Sequence, residues 1–240
     1  MVFLLACALA VSGAWVVMAG LDDTDIASST PPSNPATMPK TPTIVSLNPC
    51  TDAILAQVAD PGQLLAISSY SHDPVASSMD IAVARRFRAV SGSVEEVAAI
   101  GPQVVVASTF LDPASFGALN GLGFRVVRVP IASDIASTRK QVRELASLAG
   151  HPERGEALVA QIDEALARAA PPSGWKPVPA LVWQSGGLVA GNATLIADMM
   201  RRAGFENAVS ARGLGQADYL PLESVLADPP RIIFSIGTVS

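Results

Sequence analysis

The sequence VEEVAAIGPQVVV at residues 94–106 has a counterpart, LESVLADPPRIIF, at residues 222–234. In each stretch a glutamate follows an apolar residue, a short amphipathic segment comes next, and a proline stands seven residues after the glutamate, ahead of a β-branched run. This order predicts a short helix, a turn and a buried strand. Because it occurs twice, it predicts two related α/β lobes, each with one glutamate, Glu95 or Glu223, at the start of a short helix.

Strand patterns alternate with helical patterns around the first copy. A β-branched run at 43–47 is followed by a turn and a helical pattern to residue 59, with Thr51 as the predicted N-cap and Asp52 in the first turn. The further predicted strands are 64–67, 104–107 and 125–129, and the further predicted helices are 94–100 and 113–122. This alternation predicts a parallel sheet with helices on its faces.

Two long helices are predicted after this first lobe. The pattern at 135–149 ends at Gly150, and Pro152 begins a second helix that runs to residue 169. At 1.5 Å per residue the second helix is roughly 27 Å long, enough to cross a small lobe. We therefore predict an N-terminal α/β lobe at 43–150 and an interlobe helix at 151–170.

The second lobe opens with a strand, a glycine-rich loop and a helix before it reaches the second copy of the repeat. These are predicted at 180–183, 184–192 and 195–203, with a last strand at 232–236. The first lobe continues with a further helix and strand after its copy, so we predict that the C-terminal α/β lobe, 176–240, is incomplete. The predicted fold class is two Rossmann-like lobes with parallel sheets joined by one long α-helix.

The first 42 residues carry export and linker patterns. Residues 1–21 contain no charged side chain and predict a signal peptide with a small-residue cleavage site before Gly20. A membrane anchor of about 20 apolar residues and lipidation at Cys7 are the alternatives. Residues 22–42 are rich in Ser, Thr, Pro and Asp and predict a disordered linker.

Composition narrows the function classes. Half of the 240 residues are hydrophobic and 15% are charged, which supports a sizeable core. The net charge is −5 and no Lys/Arg-rich run occurs, so nucleic acid is not an expected partner. The only histidines are His72 and His151, too few for a clustered metal site.

One enzymatic alternative uses Cys50 as a nucleophile. It would need a nearby base, and His72 is the only candidate. Because Cys7 lies in the predicted signal, the mature protein would keep Cys50 alone, with no internal disulfide. A small packed cysteine near a strand end is the favoured interpretation of Cys50.

The sequence SSYSHDP at 68–74 directly follows the second predicted strand. Ligands of open α/β sheets bind at the carboxyl ends of strands, and a tyrosine there offers a flat apolar face with a polar tip. From the pattern alone, an ordinary surface loop is the commoner outcome.

Taken together, these motifs resemble the periplasmic substrate-binding proteins of ABC importers for cobalamin, ferric siderophores and haem. The resemblance covers residues 43–237. It rests on the opening strand-and-helix sequence IVSLNPCTD at 44–52, on ISSYS at 67–71, on the paired glutamates and on the helix at 152–169. No tryptophan stands just ahead of Glu95, where cobalamin binders often have one, and Phe87 is the candidate substitute.

The resemblance implies roles for named residues. Tyr70 would contact the corrin ring, with Ser69 and His72 as neighbouring contacts. Phe110 would lie at the first-lobe rim, and Trp183 would either contact the ligand from the second lobe or belong to the strand core. Glu95 and Glu223 would dock the lobes onto arginines of the permease.

The sequence is therefore expected to encode a monomeric periplasmic protein without catalytic activity, cofactor or resident metal. It would capture a corrinoid such as cobalamin and deliver it to an ABC permease and its ATPase. A ferric siderophore or haem is the alternative ligand. From other classes, the alternatives are a membrane-anchored enzyme that uses Cys50 and His72, an anchored sensor, and an inactive truncated remnant.

Overall fold

A computed structural model describes residues 41–210, 214 and 217–235. The predicted signal segment, 1–21, and the predicted linker up to residue 40 lie outside the described residues. The end of the last predicted strand, residue 236, lies outside them as well.

The first sheet is built from strands of the N-terminal part of the chain. It has five strands in the order β3-β2-β1-β4-β5, and every pairing is parallel. The strands are β1 (Ile44–Ser46), β2 (Leu64–Ser68), β3 (Arg88–Val90), β4 (Val104–Ser108) and β5 (Arg125–Val129). Four of them lie at predicted strands, and β3 was not predicted.

Helices cover both faces of this sheet. They are α1 (Pro49–Val58), α2 (Ile81–Ala84), α3 (Val94–Ile100), α4 (Pro113–Gly121), α5 (Ile135–Ala149) and α6 (Pro152–Ala169). Alternate residues of a strand point to opposite faces, so Ile44 packs with α1, α5 and α6, whereas Val45 packs with α3 and α4. The result is a three-layered α/β lobe with a core on each side of the sheet.

The first helix begins earlier than the sequence pattern predicts. The side chain of Asn48 accepts a hydrogen bond from the backbone N–H of Cys50 and is the N-cap, with Pro49 at the first helical position. Thr51 lies inside the helix, where its hydroxyl donates to the carbonyl of Asn48 at 3.0 Å. Asn is a strong N-cap and proline fits the first turn, so the cap is Asn48 and the prediction of Thr51 was wrong.

The second sheet is parallel at its centre and antiparallel toward one edge. Its strands are β6 (Val178–Trp183), β7 (Leu188–Val189), β8 (Phe205–Asn207), β9 (Asp218–Tyr219) and β10 (Ile232–Ser235), and its helices are α7 (Leu195–Arg202) and α8 (Leu222–Ala227). Strand β6 pairs in parallel with β10 and β8, whereas β7 pairs antiparallel with β6 and β9. The glycine-rich segment thus contributes the short strand β7 to the sheet.

The two sheets are connected through α6, as the sequence predicts. The helix packs along α5, and a Cβ on Gly155 would come within 2.6 Å of the Cβ of Ala146. A further contact joins α7 to the start of α5, where the backbone N–H of Ile135 donates to Asp198 Oδ2 at 3.0 Å. Burial alone would raise the pKa of Asp198, but the Ile135 amide and the guanidinium groups of Arg202 and Arg201 hold it below its usual value. The α/β class with two sheets and one long helix is confirmed.

Candidate functional site

The carboxyl edge of the first sheet contains a topological switch point. Strand order reverses between β1 and β4, and open α/β sheets bind ligands outside the carboxyl ends of strands at such a point. The turn after β2 carries Tyr70, and the loop after β4 carries Phe110. Two aromatic residues therefore follow the strands on either side of β1.

Tyr70 lies on a short 3-10 turn, Ser69–His72, directly after β2. Its side chain is 52% exposed, so the ring is open to a ligand. The backbone N–H of Tyr70 donates to Ser68 Oγ at 3.3 Å, and its carbonyl accepts from the N–H of Asp73 at 3.2 Å. The backbone of the turn is thus fixed while the ring stays accessible.

Asp52 of α1 lies beneath this turn and is completely buried. Its Oδ2 accepts hydrogen bonds from the backbone N–H of Ser68 at 2.9 Å and from Ser71 Oγ at 2.7 Å. Burial raises the pKa of Asp52 to about 7, although hydrogen bonds from Ser46, Ser71 and the Ser68 amide act to lower it.

The two other predicted contacts of this turn have different environments. Ser69 is exposed beside Tyr70. His72 is half-buried, and its Nε2 lies 3.0 Å from the carbonyl oxygen of Ala84. A carbonyl can only accept, so Nε2 carries the proton and fastens the far end of the turn to α2.

Cys50 is disulfide-bonded and is not a free thiol. That Cys50 would be the lone cysteine of the mature protein stays a prediction, because it depends on removal of the predicted signal segment, which lies outside the described residues. A nucleophilic cysteine must be present as a thiolate. The enzyme alternative with Cys50 and His72 consequently lacks its nucleophile in this structure.

Phe110 extends from the loop after β4 and is 68% exposed. Its backbone N–H donates to Ser108 Oγ at 3.1 Å. Arg128 of the neighbouring strand β5 donates to the carbonyl of Thr109, and its guanidinium lies 5.1 Å from the centroid of the Phe116 ring. This rim therefore combines an exposed aromatic ring with one positive charge, which the sequence analysis did not single out.

In the second sheet, Trp183 ends β6 and is half-buried. It packs against the core cluster of Leu181 and Val189, and Gly187 lies against its ring. The strand-core interpretation of Trp183 thus has direct packing support.

Tyr219 was missed by the sequence analysis. It pairs with Leu188 across β7 and β9 and is 71% exposed, so its ring lies at the surface beside the glycine-rich segment. An isolated aromatic residue just ahead of the repeat gave no pattern from which a site could be inferred.

Phe87, the candidate substitute for a missing tryptophan, packs against the core cluster of the first lobe. Phe87 is therefore not exposed as a ligand contact would be. Ile131, which follows β5, is an exposed apolar residue near the carboxyl edge that the sequence analysis overlooked.

In the first repeat copy, the adjacent glutamates Glu95 and Glu96 differ in hydrogen bonding and exposure. Ser93 caps α3, and Glu96 reaches back to accept hydrogen bonds from the backbone N–H and the hydroxyl of Ser91, which lowers its pKa. Glu95 is exposed on the same turn and makes no hydrogen bond or ion pair with any described residue. Glu96 therefore stabilises the helix start, and Glu95 is accessible to a partner.

Glu223 occupies the equivalent position in the second copy. It lies in the first turn of α8, is exposed, and follows Pro221 at the N-cap position. Neither glutamate is needed to complete a core or a cap.

Two grooves occur in the described part of the molecule, and Arg128 lines the first of them. One of about 680 Å³ runs between β5 and α5, and one of about 930 Å³ is lined by residues around β8 and the start of β10. Neither is lined by a predicted site residue. Within 41–210, 214 and 217–235 no cluster of His, Cys, Asp or Glu could hold a metal ion, and no helix has the length and apolarity needed to cross a bilayer.

Comparison with protein families gives one match. The sequence profile described as "Periplasmic binding protein" matches residues 44–238, which is most of the chain. A comparison with curated protein sequences gave no match.

Solved structures with the same fold include three periplasmic proteins. A heme-binding protein from Roseiflexus sp. RS-1 is 21% identical with a TM-score of 0.65, covering 81% of this chain and 76% of its own. A heme-binding protein of Vibrio cholerae is 17% identical with a TM-score of 0.68, covering 82% and 77%. The vitamin B12 binding protein of Vibrio cholerae is 18% identical with a TM-score of 0.63, covering 80% and 75%. At these identities the likeness concerns the fold.

Proposed function

Because this chain belongs to the periplasmic binding protein family, whose members deliver ligands to ABC importers, we propose that it captures a corrinoid between its two lobes. The family acts in the periplasm together with a permease and an ATPase, and its members are binding proteins and not enzymes. The proposed division is an N-terminal lobe at 43–150, an interlobe helix at 151–170 and a C-terminal lobe at 176–240. The protein would act as a monomer.

The observation that carries the proposal is the tyrosine turn at the carboxyl end of β2, the neighbour of the strand β1 that borders the switch point. Tyr70 is held by its backbone and leaves its ring exposed after β2, where open α/β sheets bind ligands. A corrin ring is wide and largely apolar, so an exposed aromatic face with few charges nearby suits it better than a cluster of cations would. Phe110 after β4 would extend the same apolar rim.

The second lobe would close on the ligand from the opposite side. We assign this contact to Tyr219 together with Trp183. The exposed Tyr219 offers an accessible ring, whereas Trp183 is half-buried against the core and would contribute mainly an edge. Ser69 and His72 would be secondary contacts, because Ser69 is exposed and His72 already donates to Ala84.

Glu95 and Glu223 would dock the lobes onto the permease. Both are exposed, and Glu95 is left accessible by the neighbouring Glu96, which stabilises the helix start. Two separated carboxylates fix the orientation of a complex and speed encounter more than they add affinity.

A ferric siderophore or haem is the second candidate ligand. Arg128 favours it, because a guanidinium beside the Phe110 loop would pair with the carboxylates of an anionic ligand. The heme-binding proteins of Roseiflexus sp. RS-1 and Vibrio cholerae have the same fold as this chain, as does the vitamin B12 binding protein.

Equilibrium dialysis of the chain against cyanocobalamin, haemin and a ferric hydroxamate separates these candidates. Saturable binding of cyanocobalamin at one site, with much weaker binding of the two iron compounds, is the expected result. Arg128→Gln should leave cyanocobalamin binding unchanged. Tight binding of haemin or the ferric chelate, weakened by Arg128→Gln, would replace the corrinoid with the second candidate.

A further inference from the structure

We propose that Asp52 is a positioning residue of this binding site, whose buried carboxyl group holds the turn Ser69–His72 in the shape that presents Tyr70 to the ligand. The inference rests on the proposed function for the role of Tyr70. It goes beyond it by assigning the geometry of the site to a residue that no ligand can touch.

The hydrogen bonds of Asp52 bracket Tyr70. Its Oδ2 accepts from the backbone N–H of Ser68 on one side and from the hydroxyl of Ser71 on the other, at 2.9 and 2.7 Å. Ser68 in turn restrains Tyr70, because the Ser68 hydroxyl accepts a hydrogen bond from the backbone N–H of Tyr70. One oxygen atom of α1 thus fixes one residue on each side of the tyrosine, Ser68 and Ser71.

The residues that hold the turn are buried, whereas the tyrosine ring is exposed. Asp52 and Ser71 are completely buried and Ser68 is nearly so, whereas the Tyr70 side chain is about half exposed. A binding ring on a pre-ordered backbone loses less conformational freedom on binding than one on a mobile loop. The arrangement is therefore suited to tight binding through a single aromatic face.

The buried position of the Asp52 carboxyl group is unfavourable for folding. Its Oδ1 is buried and has no hydrogen-bond partner among the described residues. A buried carboxylate without a cation opposes folding, so a general stabilising role does not account for this residue.

The groups that act on Asp52 are uncharged. They are the hydroxyls of Ser46 and Ser71 and the backbone amides of Ser68 and Asn48, and with them burial sets a pKa of about 7. The turn itself carries the titratable side chains of Tyr70, His72 and Asp73, and α2, which packs against the turn, is flanked by Asp80, Arg85 and Arg86.

A set of variants of the full chain tests the inference by dialysis against cyanocobalamin. Asp52→Ala removes both hydrogen bonds to the turn and should weaken binding about tenfold. Asp52→Asn keeps an acceptor oxygen and should lose less than about threefold. The matched control is Thr138→Val, a buried threonine of α5 whose hydroxyl donates to the carbonyl of Asp134 and not to the turn or to Asp52. It should leave affinity unchanged.

A double-mutant cycle distinguishes action through Tyr70 from general damage. In a Tyr70→Ala background, Asp52→Ala should change affinity by less than about twofold, because the ring that it positions is absent. The same tenfold loss in both backgrounds, or no loss with Tyr70 present, overturns the inference.

A ligand-free measurement keeps the inference separate from the proposed function. The sequence has two tyrosines, so in a Tyr219→Phe chain labelled with 3-fluorotyrosine the single fluorine resonance belongs to Tyr70. Asp52→Ala should shift or broaden it, and Thr138→Val should not. A resonance unchanged by Asp52→Ala overturns the positioning role. Absence of cyanocobalamin binding to the unaltered chain would remove the corrinoid proposal and leave this readout intact.

Discussion

At the scale of single residues, the proposed site depends on the contrast between the exposed Tyr70 and the buried Asp52. Tyr70 was found from the sequence because its loop directly follows the predicted strand 64–67 and matches the resemblance at 67–71. Asp52 was recognised only as an acidic residue in a first turn, since its partners Ser68 and Ser71 are 16 and 19 positions away along the chain. Contacts of this range have no local sequence pattern.

Replacing Tyr70 by alanine should weaken cyanocobalamin binding by about tenfold or more, because an aromatic contact of this kind contributes about 1–3 kcal/mol. Tyr70→Phe keeps the ring and should retain most of the affinity. Equilibrium dialysis measures both, and circular dichroism checks that the fold is intact. Equal affinity of Tyr70→Ala and the unaltered chain would remove Tyr70 from the site.

The buried Asp52 should also give stability an unusual pH dependence. Its folded-state pKa of about 7 lies above the ordinary 3.8, so between these values the folded state holds a proton that the unfolded state has released. The free energy of unfolding should therefore fall by about 4 kcal/mol from this group as pH rises through that range. The contribution is fully present below pH 4 and lost above pH 7.

Urea denaturation at pH 5 and pH 8 measures this effect. Asp52→Asn should be less sensitive to the change of pH than the unaltered chain, because its side chain does not titrate. Identical pH slopes for the two proteins would show that Asp52 has an ordinary pKa.

At the scale of elements, the long helices could be predicted from the sequence and the short strands could not. Helices α5 and α6 were located to the residue, because 15 and 18 residues display the helical period several times. Strands β7 and β9 have two residues each, too few to show alternation, and their pairing depends on distant backbone. The antiparallel edge of the second sheet was missed for that reason.

The contact of α5 with α6 gives a prediction at this scale. Gly155→Ala would place a Cβ within 2.6 Å of the Cβ of Ala146, so the helices must separate. The clash should outweigh the better helix propensity of alanine and lower the free energy of unfolding by about 1–3 kcal/mol. Chemical denaturation measures the change.

The double variant Ala146→Gly, Gly155→Ala removes the opposing methyl group and is the matched control. It should recover part of the lost stability. A single Gly155→Ala variant as stable as the unaltered chain would contradict the close packing of the two helices.

At the scale of the whole molecule, the repeat predicted two α/β units, and the family match and the shared fold agree with this. The repeat could not reveal which ligand is bound, because the residues proposed to contact the ligand lie outside the repeated pattern. The exposed Tyr219 is an example, since only the pairing of β7 with β9 brings it beside the glycine-rich segment.

Docking is a property of the whole molecule. Glu95→Lys with Glu223→Lys should leave cyanocobalamin affinity unchanged but slow its uptake by proteoliposomes that contain the cognate permease and ATPase. The difference from the unaltered chain should shrink as salt rises, because exposed charges are screened. Glu164→Lys, another exposed glutamate, on α6, is the matched control and should transport normally. Normal uptake by the double variant would exclude these glutamates from docking.

The most direct test of the central claim is a crystal structure of the chain with cyanocobalamin. We predict the corrin ring between the lobes, against Tyr70 from the turn after β2 on one side and against Tyr219 or Trp183 from the second sheet on the other. A corrin ring bound in the groove between β5 and α5, or touching one sheet alone, would contradict the account.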